Sequence, residues 1–217
     1  MASHLERELS SLKQELVGLG TMVENSVRKV ILAKEKNDQD LAKSIILKDK
    51  EIDQLEIEIE EECLKLLALY QPVAVDLRLM VSILKINENL EQIGDLAKEI
   101  SRRFISPIEN QKIPQFNYSP LSEKVQWMVR KCLEAIVEMD IELAKEICRV
   151  EDEVDSISLE LTQSIIQEIQ SHPEWTKTLI NEVFICESLE QMADHAKKIA
   201  EDVIYTVNAE IVRHQSI

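Results

Sequence analysis

Four pairs of acidic residues share one spacing: Asp49 and Asp53, Glu91 and Asp95, Glu151 and Asp155, Glu190 and Asp194. On a helix, positions i and i+4 project from one face, and like charges placed there destabilise it by about 0.2–0.5 kcal/mol per pair. One such pair means little in a chain with 41 acidic residues. Four of them in matching places call for a cause. Carboxylates gathered at close range repel unless they are protonated or bridged by a cation. Donor sets made only of oxygen suit Mg²⁺, Mn²⁺, Ca²⁺ or iron, and bridging carboxylates allow more than one ion per patch.

Position along the chain brings the pairs to the same level. Asp53 lies 19 residues before Pro72 and Glu91 lies 19 after it; Asp49 and Asp95 lie 23 residues before and after. At 1.5 Å of rise per residue, two helices joined at Pro72 hold each of these couples at one height, about 30 Å from the turn. Counted from Pro173, the second set sits at 18 and 17 residues, then at 22 and 21. The pairs flank the apolar stripes, so the expected site lies on an outer flank and is no buried cage. Glu56, Glu60, Glu88 and Glu187 stack beside the pairs as candidate auxiliary ligands. The competing reading is an acidic, solvated helix face carried along by duplication.

The elements that must position these acids are helices. The 217 residues hold 3 Gly and 5 Pro, where average usage gives roughly 26 of the two together. Sheet proteins need far more turn residues than that. Leu79, Ile83, Ile86, Leu90, Ile93, Ala97 and Ile100 repeat at alternating spacings of four and three, the stripe of a core-facing helix. Similar stripes run over about 5–36, 38–70, 120–139, 140–170 and 174–207, with breaks at Asn37-Asp38, Gln71-Pro72, Ser106–Pro120, Met139-Asp140 and His172-Pro173. Three of the five prolines fall in 106–120, which reads as a linker.

The two sides of that linker repeat each other. Asp40-Leu41-Ala42-Lys43 matches Glu142-Leu143-Ala144-Lys145 at an offset of 102, and Leu90-Glu91-Gln92 matches Leu189-Glu190-Gln191 at 99. The expected fold is all-α: two pseudo-symmetric antiparallel three-helix bundles, over 1–105 and 121–217, joined by 106–120. Each half is long enough for a bundle core, since 45% of the residues are apolar.

Charge and missing motifs narrow the function. With 25 basic and 41 acidic residues the formal charge is −16, which repels phosphate backbones and anionic lipid headgroups. No nucleic-acid binding and no membrane insertion are expected, and no apolar run approaches the roughly 18 residues of a membrane span. The N-terminus lacks a signal-peptide core, and Cys63, Cys132, Cys148 and Cys186 stand singly in apolar segments, as reduced buried thiols would. Both features point to a cytoplasmic protein. No phosphate loop, GxSxG, HExxH or CxxC occurs. A di-metal oxidase would draw on Glu-x-x-His pairs, but Gly94 and Ala193 stand where the histidines belong. The chain reads as no enzyme.

Single residues rank lower. His195 follows Asp194, but its repeat counterpart is Leu96, so an ordinary surface histidine is expected. Arg78, Arg102 and Arg103 read as solvated or ion-paired, and Trp127 and Trp175 as core or helix-end packing.

With these motifs assembled, the sequence resembles the PhoU family of phosphate-transport regulators over about residues 8–207. The resemblance is carried by the four acid-x-x-x-Asp pairs, by Gln71-Pro72-Val73-Ala74-Val75-Asp76-Leu77-Arg78 and by Leu90-Glu91-Gln92-Ile93-Gly94-Asp95. It implies two pseudo-symmetric bundles and metal ions on the acidic motifs, in multinuclear clusters of iron, zinc or similar metals. It also implies a cytoplasmic, usually dimeric, negative regulator of the phosphate-starvation response. Such a regulator links the ATPase of a phosphate ABC transporter to a PhoR-type sensor kinase. The alternative is a metal-independent helical adaptor that binds basic partner surfaces. Two departures stand out. The Gln71–Arg78 motif has no close copy after Pro173, and Ser158 occupies the place of Glu56.

Overall fold

The computed structural model describes residues 2–105 and 114–209. Six α-helices occupy them: α1 (Ala2–Lys36), α2 (Gln39–Tyr70), α3 (Ala74–Ile105), α4 (Ser119–Glu138), α5 (Ile141–Ser171) and α6 (Thr176–Asn208). A short 3₁₀ turn, Pro173–Trp175, leads into α6. No strand occurs among the described residues. Most of the expected linker, 106–113, lies outside them. Its last residue, Pro120, falls inside the first turn of α4 and not before it. Proline is tolerated there because a first-turn N–H has no partner within the helix.

The breaks form as side-chain chemistry dictates. Asn37 and Met139 end α1 and α4 in the left-handed region, at φ 53° and 51°. The next residue then starts a new helix. The Asp38 carboxylate accepts from the Leu41 N–H at 2.9 Å, and Asp140 accepts from Leu143 at 3.0 Å. Such caps contribute about 1 kcal/mol each by occupying an orphan donor. The two corners are 102 residues apart, so the duplication is visible in the backbone as well as in the sequence.

Each half is an antiparallel three-helix bundle, and the halves share a seam. Among the described residues the outer helix α2 packs only on α1 and α3, while α5 packs on α4, α6 and the 3₁₀ turn. Across the seam α3 meets α6 and α1 meets α4. The stripe from Ile83 to Ile100 is buried, and Leu79 packs at its edge. One contiguous apolar core therefore runs through both halves. At the seam Gly20 lets α1 approach α4 closely: a Cβ added there would lie 2.1 Å from Leu133 Cδ2. Polar ties cross the seam as well. Lys34 Nζ meets Glu182 Oε2 at 2.7 Å, and Tyr118 donates to the same carboxylate at 2.9 Å. No helix of the described residues is long and apolar enough to cross a membrane.

Candidate metal centre

The acidic pairs sit where an outer helix meets a seam helix, α2 against α3 and α5 against α6. In the first half, Asp49, Asp53 and Asp95 each place a carboxylate oxygen within 4.8 Å of the others. Glu91 faces the same patch. Burial, then the charge of Asp95, pushes its carboxyl up to about 7, against a weaker opposing hydrogen bond from Gln92. Asp53 and Glu56 add to the upward push. Three of the four expected residues of this half thus lie within ligating reach of one another, and Glu91 is tied to them through the charges of Asp95 and Asp53.

They are not equivalent. Asp49 is only 4% exposed, whereas Asp53, Glu91 and Asp95 are half-buried. Lys98, one turn beyond Asp95 on α3, donates to both Asp49 and Asp95. Burial raises the Asp49 carboxyl, Lys98 opposes that shift, and Asp53 and Asp95 add to it. Burial alone would lower the Lys98 ammonium, but its bonds to Asp49 and Asp95 leave it raised. One lysine cannot satisfy this much charge. Asp49 Oδ1 is buried and has no hydrogen-bond partner among the described residues. An orphaned buried carboxylate oxygen is costly, and it is the kind of atom a hard cation satisfies. The donor set therefore fits an oxygen-ligated ion.

The second half repeats this plan with one change. Glu151 is the deep acid, 4% exposed, and Lys197 donates to it. Burial raises Glu151, Lys197 opposes, and Asp155 and Asp194 push it further up. Burial and then Asp194 raise Asp155; burial, then Asp194 and Asp155, raise Glu190. Glu151, Asp155, Glu190 and Asp194 thus share one electrostatic patch. Among the described residues, however, only the first half brings three carboxylate oxygens within bridging reach. Asp155 is exposed, and Ser158 faces Cys186 where the first half has Glu56.

The auxiliary acids divide. Glu56 borders the first patch, and Asn87 Nδ2 donates to its backbone carbonyl at 2.9 Å and to Oε1 at 3.3 Å. Its carboxyl is raised by burial first, then by Glu60, Asp53 and Glu88. Glu60, Glu88 and Glu187 are exposed. His195 departs from the expectation of a surface residue. It is half-buried at the α3–α6 seam, where its Nδ1 lies 2.8 Å from Asn89 Oδ1. Helix α6 is flanked on that side by α3, which the apolar stripe of a single helix does not reveal.

Arg103 pairs with Glu99 at 2.8 Å and lies over the Phe184 ring at 4.0 Å. Arg78 is instead partly buried, and its Nε has no partner among the described residues. Trp127 packs against the core, and Trp175 stacks on His172 at a helix end. All four cysteines are free and buried. Burial pushes the Cys63 thiol up to about 11 and Cys148 to about 12, which disfavours the thiolate a metal would need.

The functional residues absent from the sequence reading are Lys98 and Lys197. A signal existed: each follows its Asp by three residues in both repeats, as Asp95-x-x-Lys98 and Asp194-x-x-Lys197.

Comparison with known proteins accords with this architecture. The PhoU domain family matches residues 16–104 and 119–203. A Pseudomonas aeruginosa protein, named as a phosphate-specific transport system accessory protein PhoU homolog, is 33% identical over 99% of this chain and 89% of its own length. An Aquifex aeolicus relative of the same name is 34% identical over 98% and 97%. The crystal structure of PhoU from Pseudomonas aeruginosa superposes with a TM-score of 0.91 at 33% identity, covering 94% of this chain and 99% of that one. The phosphate transport system regulatory protein PhoU from Streptococcus pneumoniae gives 0.89 at 29% identity, with 96% and 99% covered.

Proposed function

This chain belongs to the PhoU family, and on that premise we propose that it is a cytoplasmic, metal-binding regulator of phosphate uptake and phosphate-starvation signalling. The observation that carries the metal part of this reading is the buried, unpartnered Oδ1 of Asp49 inside the Asp49, Asp53 and Asp95 carboxylate group. Asp49, Asp53, Glu91 and Asp95 would hold ions in the first half, and Glu151, Asp155, Glu190 and Asp194 in the second. Bound there, a cation supplies positive charge that neutralises the patch and ties an outer helix to a seam helix. Iron, zinc, manganese and magnesium all suit some or all of these donors. The protein's own residues do the rest: Lys98 and Lys197 hold the deep acid in place in each half.

The regulatory part rests on kinship. The relatives are named as accessory proteins of a phosphate-specific transport system. The partners that the family resemblance implies, and that this proposal adopts, are the ATPase of a phosphate ABC transporter and a PhoR-type sensor kinase. The working form is a homodimer whose two repeat units span 1–105 and 121–217. Its role is one of binding and relay, without catalysis. In cells lacking this gene, a phosphate-responsive promoter should fire in phosphate-rich medium, and the wild-type gene should silence it. If Asp49→Asn together with Glu91→Gln silences the promoter equally well at equal protein level, the acidic patch has no part in signalling.

A second reading has its own support. Lys98 and Lys197 already give each deep acid a counterion. The patches could therefore be structural, and the acidic surface could serve basic partners without any metal.

A further inference from the structure

Away from the acidic patches, on the α1–α4 side of the seam, lies a cleft of about 300 Å³. Its walls include Glu24, Val27 and Arg28 of α1 and Gln126, Val129 and Arg130 of α4. These are repeat counterparts, each pair 102 residues apart. The cleft therefore sits across the pseudo-twofold axis that relates the halves, and it receives one arginine from each. Both stand in a duplicated Val-Arg-Lys sequence, Val27-Arg28-Lys29 and Val129-Arg130-Lys131. Trp127 and Glu123 line the cleft as well.

In a chain of formal charge −16, arginines usually find carboxylates. Among the described residues no carboxylate lies within 4.0 Å of either guanidinium, although Glu24 and Glu123 line the same cleft. Arg28 gives one donor, Nη2, to Asn25 Oδ1 at 2.9 Å, which leaves most of its fork open. A guanidinium presents five donors in a fixed plane. A planar carboxylate is satisfied by one such fork. A tetrahedral oxyanion offers oxygens in several directions and can be held by two forks from opposite walls.

We propose that the α1–α4 cleft binds a small phosphoryl anion, held between Arg28 and Arg130 and bordered by Trp127. The anion would bridge the two halves at the seam, remote from the carboxylate patches and independent of whether those hold metal. Free inorganic phosphate and the phosphoryl end of a nucleotide share this chemistry. Only a nucleotide adds a ring to set against the Trp127 face.

The test uses the full chain carrying Trp175→Phe, so that Trp127 is the sole tryptophan. A chelator is kept present to exclude binding through a cation. Inorganic phosphate and AMP are titrated separately, followed by calorimetry and by Trp127 fluorescence. Saturable one-to-one binding is expected, weakened at least tenfold by Arg28→Gln or Arg130→Gln and tightened severalfold by Glu123→Gln. AMP binding at least tenfold tighter than phosphate would assign the nucleotide; equal affinities would assign the bare oxyanion. No saturable binding of either probe up to 10 mM, or binding that both arginine variants retain, would overturn the proposal. Circular dichroism of the variants separates loss of the site from loss of the fold.

Discussion

Lys98 on α3 and Lys197 on α6 stand 99 residues apart in the sequence, and each ends on the most deeply buried carboxylate of its acidic patch, Asp49 or Glu151. Duplication has preserved more than an acidic pattern. It has preserved an acid sunk into the bundle, a cation to meet it and a rim of further acids that the one cation cannot neutralise.

Removing that cation should be costly in the metal-free protein. Lys98→Gln leaves Asp49 buried without its partner, and breaking a buried pair costs about 3 kcal/mol. Chemical denaturation in the presence of chelator measures the loss. Millimolar Mg²⁺ or Mn²⁺ should restore more stability to the variant than to the wild type, because a positive charge has left the patch. Equal effects of the ion on both proteins would place the ions elsewhere.

Acidity should stabilise the metal-free protein. Burial and Asp95 raise the Glu91 carboxyl from 4.5 to about 7, and Asp49, Glu56, Glu151, Asp155 and Glu190 shift the same way. The folded state then binds protons more tightly than the unfolded one. The stability contributed by Glu91 is present below its unfolded value and is lost as pH climbs through about 7. Thermal melts with chelator should show a higher Tm at pH 6 than at pH 8. Glu91→Gln should flatten the slope, and saturating cation should reverse its sign by favouring the ionised carboxylates.

The halves should differ in affinity. Only the first gathers three carboxylate oxygens within bridging reach among the described residues, and Ser158 and exposed Asp155 thin out the second. Isothermal titration with Mn²⁺ should therefore resolve a tighter and a weaker class of site. Glu91→Gln with Asp95→Asn should abolish the tighter class, and Glu190→Gln with Asp194→Asn the weaker.

The seam can be probed at one contact. Gly20→Val would drive a side chain into Leu133, and such over-packing costs about 1–3 kcal/mol. Leu133→Ala frees the space, so the double variant should be more stable than the sum of the single losses predicts. Additive losses would mean that α1 and α4 are not in contact there in solution.

Much of this was legible in the sequence. Helix ends followed from Asn37, Asp38, Pro72, Met139 and Asp140, because capping and proline chemistry act locally. The meeting of Asp49 and Asp53 with Asp95 followed from similar distances to Pro72, because helical rise is constant. The seam was not legible. A helix such as α3, buried against α2 on one side and α6 on the other, shows the same apolar stripe as one buried once; its second contact also includes polar residues such as Asn89 and Lys85, which reach His195 and Asp202. Lys98 and Lys197 were hidden for a related reason. A lysine near acids reads as a solvated charge until the neighbouring helix is in place.

The central claim is that the carboxylates hold cations, and metal content measures it most directly. Elemental analysis of the purified protein, dialysed without chelator, should find bound metal in wild type and a clear loss in Glu91→Ala with Asp95→Ala. A metal-free wild type that also fails to take up Fe²⁺, Zn²⁺, Mn²⁺ or Mg²⁺, or a stoichiometry unchanged in the double variant, would contradict it.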